Sequence, residues 1–276
     1  MRYKVVADSS ANVYERDGMD YTSVPLKIVT SEKEYSDVKG TDIAEMVTYL
    51  QGYKGKSGTS CPNVHDWLEA FGDADLVLGV TITSNLSGSY ASAMQAKAEY
   101  EESHPGAKVH IVDSLSAGPE LELIIEKMEE VLETGKSFDE MTQEIAEYCR
   151  HSHLLFALKH LDNLARNGRV NPAIAKLAGI LGIRVIGKAS DEGTLQQLHK
   201  CRGESQSVSC IFNEMKKHGY DGGKVRIAHC FNPQMAQSLS DTIHQYYPLA
   251  DVRICPCTAL CSFYAEEGGL MIGYEG

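Results

Sequence analysis

The sequence predicts an α/β protein with two lobes, the first built on a mostly parallel α/β sheet and the second an α+β lobe with a mixed or antiparallel sheet. Up to about residue 150, strand-like apolar runs alternate with helical patterns, which is typical of parallel sheets. Residues 76–82 are almost continuously apolar and branched, as in a strand buried on both faces. Further on, short strand candidates flank a hairpin-type turn at 191–193. We therefore expect an N-terminal lobe over residues 1–155 and a C-terminal lobe over 156–276.

In the first half, four strands and five helices are expected from the hydrophobic periodicity. The strands are residues 3–7, 21–29, 76–82 and 108–112, and the helical patterns cover 43–50, 64–71, 90–102, 121–132 and 137–148. Pro25 indicates an edge or an irregular crossing, because proline lacks the N–H that a central strand needs. Asn63 is placed to cap one helix, and Ser137 with Glu140 forms a capping box for another.

In the second half, the expected elements are shorter and less regularly alternating. The strand candidates are residues 153–158, 183–188, 194–200, 224–229, 252–255 and 270–274. An apolar stripe from Val208 to Met215 predicts one helix, and Asn232 with Pro233 predicts the start of another.

Composition limits the class of partner. The 276 residues carry a net charge of −12, which argues against nucleic acid or an anionic membrane surface as the main partner. No apolar run approaches 18 residues, so we expect no transmembrane helix. The N-terminus enters a strand without a signal peptide's apolar core, and a cytoplasmic location is expected.

Eight cysteines are scattered along the chain, and we expect them to be reduced. Cys255, Cys257 and Cys261 have C-x-C-x₃-C spacing, which differs from the paired C-x₂-C of structural zinc sites. Burial as small apolar side chains is favoured over a thiolate metal site. We expect neither a metal nor a resident cofactor.

The hydroxyl-rich turn after residues 76–82 is the first candidate site. It contains Ser87 and Gly88 and leads into a helix. The free N–H groups of a helix N-terminus favour an anion, and open α/β sheets bind ligands at this carboxyl edge. The alternative is that Ser87 only caps its helix.

Thr59 and Ser60 form the second candidate site, just ahead of the helix that Asn63 caps. Here the alternative is an ordinary loop with a cap, since Gly52, Gly55 and Gly58 precede it. If both helix starts open at the same sheet edge, they can share one small anion. Uncharged donors suit a singly charged carboxylate better than a polyphosphate.

Common catalytic signatures are missing from the sequence. There is no G-x-S-x-G elbow, no P-loop, no G-x-G-x-x-G after a strand and no H-E-x-x-H. None of the ten histidines has a spacing that names a mechanism, and a structural or exposed role is expected for each.

A series of short motifs resembles the DegV family of bacterial fatty-acid-binding proteins, which present acyl chains to fatty acid kinase. The motifs are VADSS at 6–10, VPLKI at 24–28, TSCP at 59–62, ITSNLSGSY at 82–90, IVDS at 111–114, LARNGRV at 164–170, DEGTL at 191–195 and KCRG at 200–203. Each motif is weak alone, but their number and order along nearly the whole chain are specific.

The resemblance implies a two-lobed fold with an apolar tunnel for a long-chain fatty acid such as palmitate. It implies that Thr59 and Ser87 hold the carboxylate, assisted by Ser60 and by N–H groups near Gly88. Arg169 matches the arginine that is a candidate contact for the kinase partner.

Two segments of the second half bear on the tunnel and the carboxylate network. Residues 174–186 are the expected tunnel wall, with plain core as the alternative. Cys257 stands where the family usually has a histidine, and it is the candidate third position of the carboxylate network. A thiol is a weaker donor than imidazole. The family's Ile-Lys-Pro segment reads Ile183-Arg184-Val185 here.

The resulting hypothesis is a non-enzymatic carrier of a long-chain fatty acid. A hydrolase or acyltransferase with Ser87 as nucleophile is the alternative, but it needs a neighbouring base and the sequence nominates none. A third reading, raised by Cys257, is a protein that binds a different carboxylate or has lost lipid binding.

Overall fold

The first lobe is organised on a four-stranded parallel sheet, as expected for an α/β protein. The structure is a computed structural model that describes residues 2–171 and 182–276. The strands of this sheet are β1 (Tyr3–Asp8), β2 (Tyr21–Val24), β6 (Leu76–Thr81) and β7 (Lys108–Asp113), in the order β2-β1-β6-β7. All three pairings are parallel, and every residue of β6 is buried. The prediction of a strand buried on both faces, as in a parallel sheet, is confirmed.

The expected strand over residues 21–29 is divided at Pro25, and its first part, β2, is an edge strand of the parallel sheet, in agreement with the edge or irregular crossing that Pro25 indicates. Its second part, β3 (Lys27–Val29), leaves the parallel sheet and pairs antiparallel with β4 (Glu34–Ser36) and β5 (Gly58–Ser60). Proline offers no N–H to continue the ladder, and the next N–H, of Leu26, donates instead to Ser9 Oγ at 3.0 Å. The resulting three-stranded sheet was not predicted.

The second lobe contains a six-stranded mixed sheet in the order β10-β9-β8-β13-β11-β12. These strands are β8 (Ser152–Leu158), β9 (Ile183–Ala189), β10 (Leu195–Arg202), β11 (Val225–His229), β12 (Val252–Pro256) and β13 (Leu270–Glu275). Only β11 and β12 pair in parallel. The predicted hairpin joins β9 and β10, and Ser190 N–H donates to Thr194 O at 2.8 Å across its turn. The predicted lobe boundary at residue 155 lies inside β8 and stays a prediction.

The helices of the described residues flank the sheets. They are α1 (Ile43–Gly52), α2 (Val64–Phe71), α3 (Ser89–Ser103), α4 (Pro119–Glu133), α5 (Phe138–Tyr148), α6 (Asp162–Arg166), α7 (Gly203–Lys217), α8 (Pro233–Tyr246) and α9 (Ala259–Ala265). Asn63 caps α2 with a capping box, and Ser137 and Glu140 form the predicted box before α5. Among these helices, none is both long and apolar enough to cross a bilayer.

Alternate residues of the parallel sheet pack into two cores. Val5 and Leu78 face α4 and α5, whereas Val6 and Val77 face α2 and α3. A third core lies between the mixed sheet and helices α7 and α8.

Helix α4 packs between the two large sheets, in contact with β1 and β6 on one side and with β8, β11 and β13 on the other. From this helix Glu126 binds Arg226 of β11 with two bonds, Nε to Oε1 at 2.9 Å and a terminal nitrogen to Oε2 at 2.7 Å. Arg226 is fully buried, and this ion pair joins the two lobes.

Candidate functional site

An apolar cavity of about 80 Å³ lies where the three sheets approach one another. Strand β8 contributes Leu154, Phe156 and Leu158, which point to the same side because side chains alternate along a strand. Further apolar lining comes from Leu26, Ile82, Leu86, Leu164, Leu260 and Met271. Four polar side chains of the described residues also line it: Thr59, Ser87, Arg169 and Tyr264.

Thr59 reaches the cavity from β5, the short strand that pairs with β3 opposite Ile28. Its Oγ1 lies 2.8 Å from the phenol oxygen of Tyr264 on α9. Ser60, the next residue, is exposed and is not among the lining residues, because alternate residues of a strand point in opposite directions.

Ser87 reaches the cavity from the turn between β6 and α3. The turn is closed by N–H groups of Leu86 and Ser87, which donate to Thr83 O at 3.1 and 3.3 Å. Ser87 Oγ accepts the N–H of Ser89, the first residue of α3, at 3.2 Å, but the N-cap position of this helix is Gly88 and not Ser87. That bond uses an oxygen lone pair and leaves the hydroxyl proton available for a ligand.

The turn that carries Ser87 and the strand β5 that carries Thr59 lie next to each other, beyond the end of β6. A Cβ built on Gly88 would lie 3.2 Å from Cys61 Sγ, just beyond Thr59 and Ser60. Gly88 is the residue before α3 and makes no side-chain cap, and it is not a lining residue itself. The structure therefore brings Thr59 and Ser87 to the same cavity, with Ser60 and Gly88 beside it.

Arg169 also lines the cavity, next to the Ser87 turn. Its Nε donates to Leu86 O at 3.0 Å, and a terminal nitrogen donates to Asn167 O. The side chain is half-buried. The guanidinium charge of Arg169 thus lies beside the hydroxyl groups that line the cavity. Its contact with a kinase partner stays a prediction.

Cys257 is buried away from the described lining of the cavity. Its N–H donates to His229 O at 2.9 Å, and its side chain packs in an apolar cluster with Phe156, Cys230 and Cys261. Burial raises the pKa of its thiol well above the ordinary value, so the group stays neutral. Tyr264, seven residues further on, is the polar side chain that this part of the chain supplies to the cavity, next to the apolar Leu260 and Ala265.

Asp8 supports the Ser87 turn from within, a role that sequence reasoning missed. Its Oδ2 accepts the N–H of Ile82 at 3.0 Å and the hydroxyl of Ser89 at 2.6 Å, on either side of the turn. Asp8 is fully buried; burial raises its pKa, while the hydroxyls of Ser10 and Ser89 act in the opposite direction. The sequence feature that could have indicated this role is an aspartate at the end of a buried strand.

Part of the expected tunnel wall, residues 174–181, lies outside the described residues. Of the rest, Val185 and Ile186 are buried in the cores of the second lobe. In residues 2–171 and 182–276, no group of three or more His, Cys, Asp or Glu side chains is placed to hold a metal ion.

Comparison with known proteins gives one consistent result. The family model described as "Uncharacterised protein, DegV family" matches residues 2–275. A DegV domain-containing protein of Streptococcus pneumoniae is 41% identical over 279 residues, covering 100% of this chain and 99% of the relative.

Two solved structures superpose with a TM-score of 0.97. One is a DegV family protein of Eubacterium eligens loaded with heptadecanoic acid, at 43% identity and covering 99% of each chain. The other is the Fatty Acid Kinase B3 protein of S. pneumoniae loaded with linoleic acid, at 41% identity and covering 100% of this chain and 99% of that one. With a family match from end to end and near-identical folds, this chain belongs to the DegV family.

Proposed function

We propose that this protein binds a long-chain fatty acid, with the carboxylate at Thr59 and Ser87 and the acyl chain in the apolar cavity. The observation that carries the proposal is the placement of these two hydroxyl groups in the wall of one otherwise largely apolar cavity. Relatives that are 43% and 41% identical were crystallised with heptadecanoic and linoleic acid, which supports the same ligand class.

The two parts of the ligand contribute differently to binding. Each buried methylene contributes about 0.8 kcal/mol, so a long tail supplies most of the gross affinity. Ordering of the chain and lost motion offset much of that gain. The hydroxyl groups and the Arg169 charge contribute less, and they determine which end of the ligand lies at Thr59.

The cavity has to enlarge to hold a long tail. Its volume of about 80 Å³ is well below the roughly 300–1,000 Å³ of typical ligand pockets. Met271 and Phe156 lie side by side on β13 and β8 and both line it. Methionine is unbranched with three rotatable bonds, so its displacement costs little and makes room for the ligand.

Native mass spectrometry of the purified protein tests the proposal. We expect a bound species of about 250–290 Da, the mass range of C16–C18 acids. Incubation of delipidated protein with palmitate or oleate should restore it. A protein that stays empty after both incubations would overturn the proposal.

We propose further that binding is not accompanied by catalysis. A serine nucleophile needs a base within hydrogen-bond reach, and the described lining contains no histidine and no carboxylate. A fluorophosphonate probe should leave Ser87 unlabelled. Covalent labelling of Ser87 would favour a hydrolase or acyltransferase instead.

The acyl chain is proposed to be presented to a fatty acid kinase, because the S. pneumoniae relative is a Fatty Acid Kinase protein. Beside the cavity lies a cleft of about 980 Å³ whose lining carries cations (Lys54, Lys56, Arg166) and carboxylates (Asp162, Glu266, Glu267) alike. Turnover of bound palmitate by purified S. pneumoniae kinase tests whether the acyl chain is presented to a kinase. Complete inactivity of the kinase with palmitate-loaded protein would contradict this proposal.

A further inference from the structure

Tyr264 is the one residue with a phenol group that lines the cavity within the described chain. Its oxygen lies 2.8 Å from Thr59 Oγ1, and either hydroxyl can be the donor. The two groups come from residues 205 positions apart, on α9 and β5. The fold therefore builds a hydroxyl pair that no local motif encodes.

The position of Tyr264 is fixed by the start of its helix. Asp37 Oδ1 accepts the N–H of Ala259 at 2.8 Å, and Asn12 Oδ1 accepts the N–H of Thr258 at 2.6 Å. Asp37 is buried, so these bonds are shielded from water. Phe263, also fully buried, packs edge-on against the Tyr264 ring with centroids 4.8 Å apart. The phenol group is thus held in place before any ligand arrives.

The hydroxyl pair of Thr59 and Tyr264 has one proton that is not used in the bond between them. Each hydroxyl carries a single proton, one of the two is used between Thr59 and Tyr264, and the other is free to bind an anion. A chain of two hydroxyls that ends on a charged acceptor is polarised along its length, which strengthens both bonds. Burial raises the pKa of Tyr264, while the Thr59 bond and the Arg169 charge act in the opposite direction; the phenol stays protonated.

We propose that Tyr264 is a specificity-determining residue of the head-group site, forming with Thr59 a hydroxyl pair that donates one hydrogen bond to the ligand's carboxylate. This inference rests on the proposed function. It predicts selection of free acids over their esters, since an ester oxygen carries no charge and accepts more weakly.

The first test compares Tyr264→Phe with the wild-type protein on palmitic acid and methyl palmitate, two ligands with the same tail. Loss of one bond to a charged group is expected to weaken acid binding about tenfold. Ester binding should change less than about twofold. Tyr220→Phe is the matched control, because it removes a phenol that donates to Gly223 O and does not line the cavity. It should change neither affinity.

The second test is a double-mutant cycle with Thr59→Val. If the two hydroxyls act as one unit, the double variant should bind palmitic acid about as weakly as the weaker single variant. Additive losses would show that the two hydroxyls act independently, and equal losses for acid and ester in Tyr264→Phe would show that the phenol does not act on the carboxylate; either result would overturn the inference. Unchanged acid binding by Tyr264→Phe would also overturn it while leaving the proposed function intact. Failure of the wild-type protein to bind either ligand would instead overturn the proposed function.

Discussion

The carboxylate of Asp8 and the hydroxyl of Ser89 form a 2.6 Å hydrogen bond between residues 81 positions apart. Asp8 ends β1, and Ser89 begins α3, directly after Ser87 and Gly88. The same carboxylate accepts the N–H of Ile82 at 3.0 Å. One buried side chain therefore connects the strand, the turn and the helix that place Ser87 in the cavity wall.

Replacing Asp8 by Asn should weaken both folding and binding. The amide keeps the shape but turns one acceptor into a donor that faces the hydroxyl and N–H donors, so the free energy of unfolding should fall by about 2–4 kcal/mol. Urea unfolding measures this, and calorimetry should show weaker palmitate binding. Asp20→Asn is the control, since exposed Asp20 only pairs with Lys4 at 3.1 Å; it should cost less than about 1 kcal/mol. Equal costs for the two variants would contradict the prediction.

Ser87→Ala should weaken fatty-acid binding without unfolding the protein. It removes one charge-assisted bond to the ligand, worth about 1–2 kcal/mol, and the smaller bond to the N–H of Ser89. Ser84→Ala provides the comparison, because Ser84 is an exposed residue of the same turn that does not line the cavity. Titration calorimetry with palmitate distinguishes the two variants. Identical palmitate affinities of Ser87→Ala and Ser84→Ala would show that Ser87 is not part of the site.

Glu120 should make the protein less stable as the pH rises. It is buried and accepts the hydroxyls of Ser116 and Ser152. Burial raises its pKa from 4.5 to about 7. Between these values the folded chain holds a proton that the unfolded chain has released, so stability falls with rising pH, by roughly 3 kcal/mol in total.

Glu120→Gln should remove this contribution. Relative to the wild type, the variant should gain stability between pH 4.5 and pH 8, as measured by urea unfolding at both values. Glu133→Gln, at the exposed end of the same helix, controls for the loss of a carboxylate. If the wild type and Glu120→Gln show parallel pH curves, the carboxyl of Glu120 is ionised in the folded state and the prediction is wrong.

Gly193→Ala should disturb the contact between the β9–β10 hairpin and the Ser87 turn. A Cβ there would clash with Thr83 Oγ1 and would lie 3.0 Å from Leu115 Cα. We expect a loss of about 2–4 kcal/mol in the free energy of unfolding, from overpacking plus a positive φ. Gly40→Ala has a similarly positive φ but nothing within 4 Å, and should cost only about 1–2 kcal/mol. Thermal or urea unfolding measures both losses. Equal losses in the free energy of unfolding for Gly193→Ala and Gly40→Ala would contradict the predicted clash.

The sequence could predict the parts of the site that depend on local patterns. The buried strand before Ser87 and the helix cap at Asn63 follow from periodicity and capping preferences within about ten residues. Both are observed. The third sheet could not be predicted, because β3, β4 and β5 have only three residues each, too few for a period.

The roles of Tyr264 and Asp8 in the site could not be predicted for a different reason. Tyr264 lies on a seven-residue helix, and only the packing of distant segments brings it to Thr59. Arg169 was assigned to a partner contact from the resemblance, whereas its bond to Leu86 O lies at the cavity. Long-range pairings of this kind leave no periodic signal in one sequence.

The packing of α4 against both large sheets limits how the interior can open. Rotating one lobe away from the other would separate Arg226 from Glu126 and expose apolar surface on both sides of α4 to water, so the loss of apolar burial opposes such an opening. We therefore expect a guest molecule to enter and leave through small displacements of loops and side chains around the cavity, while α4 keeps the two sheets together.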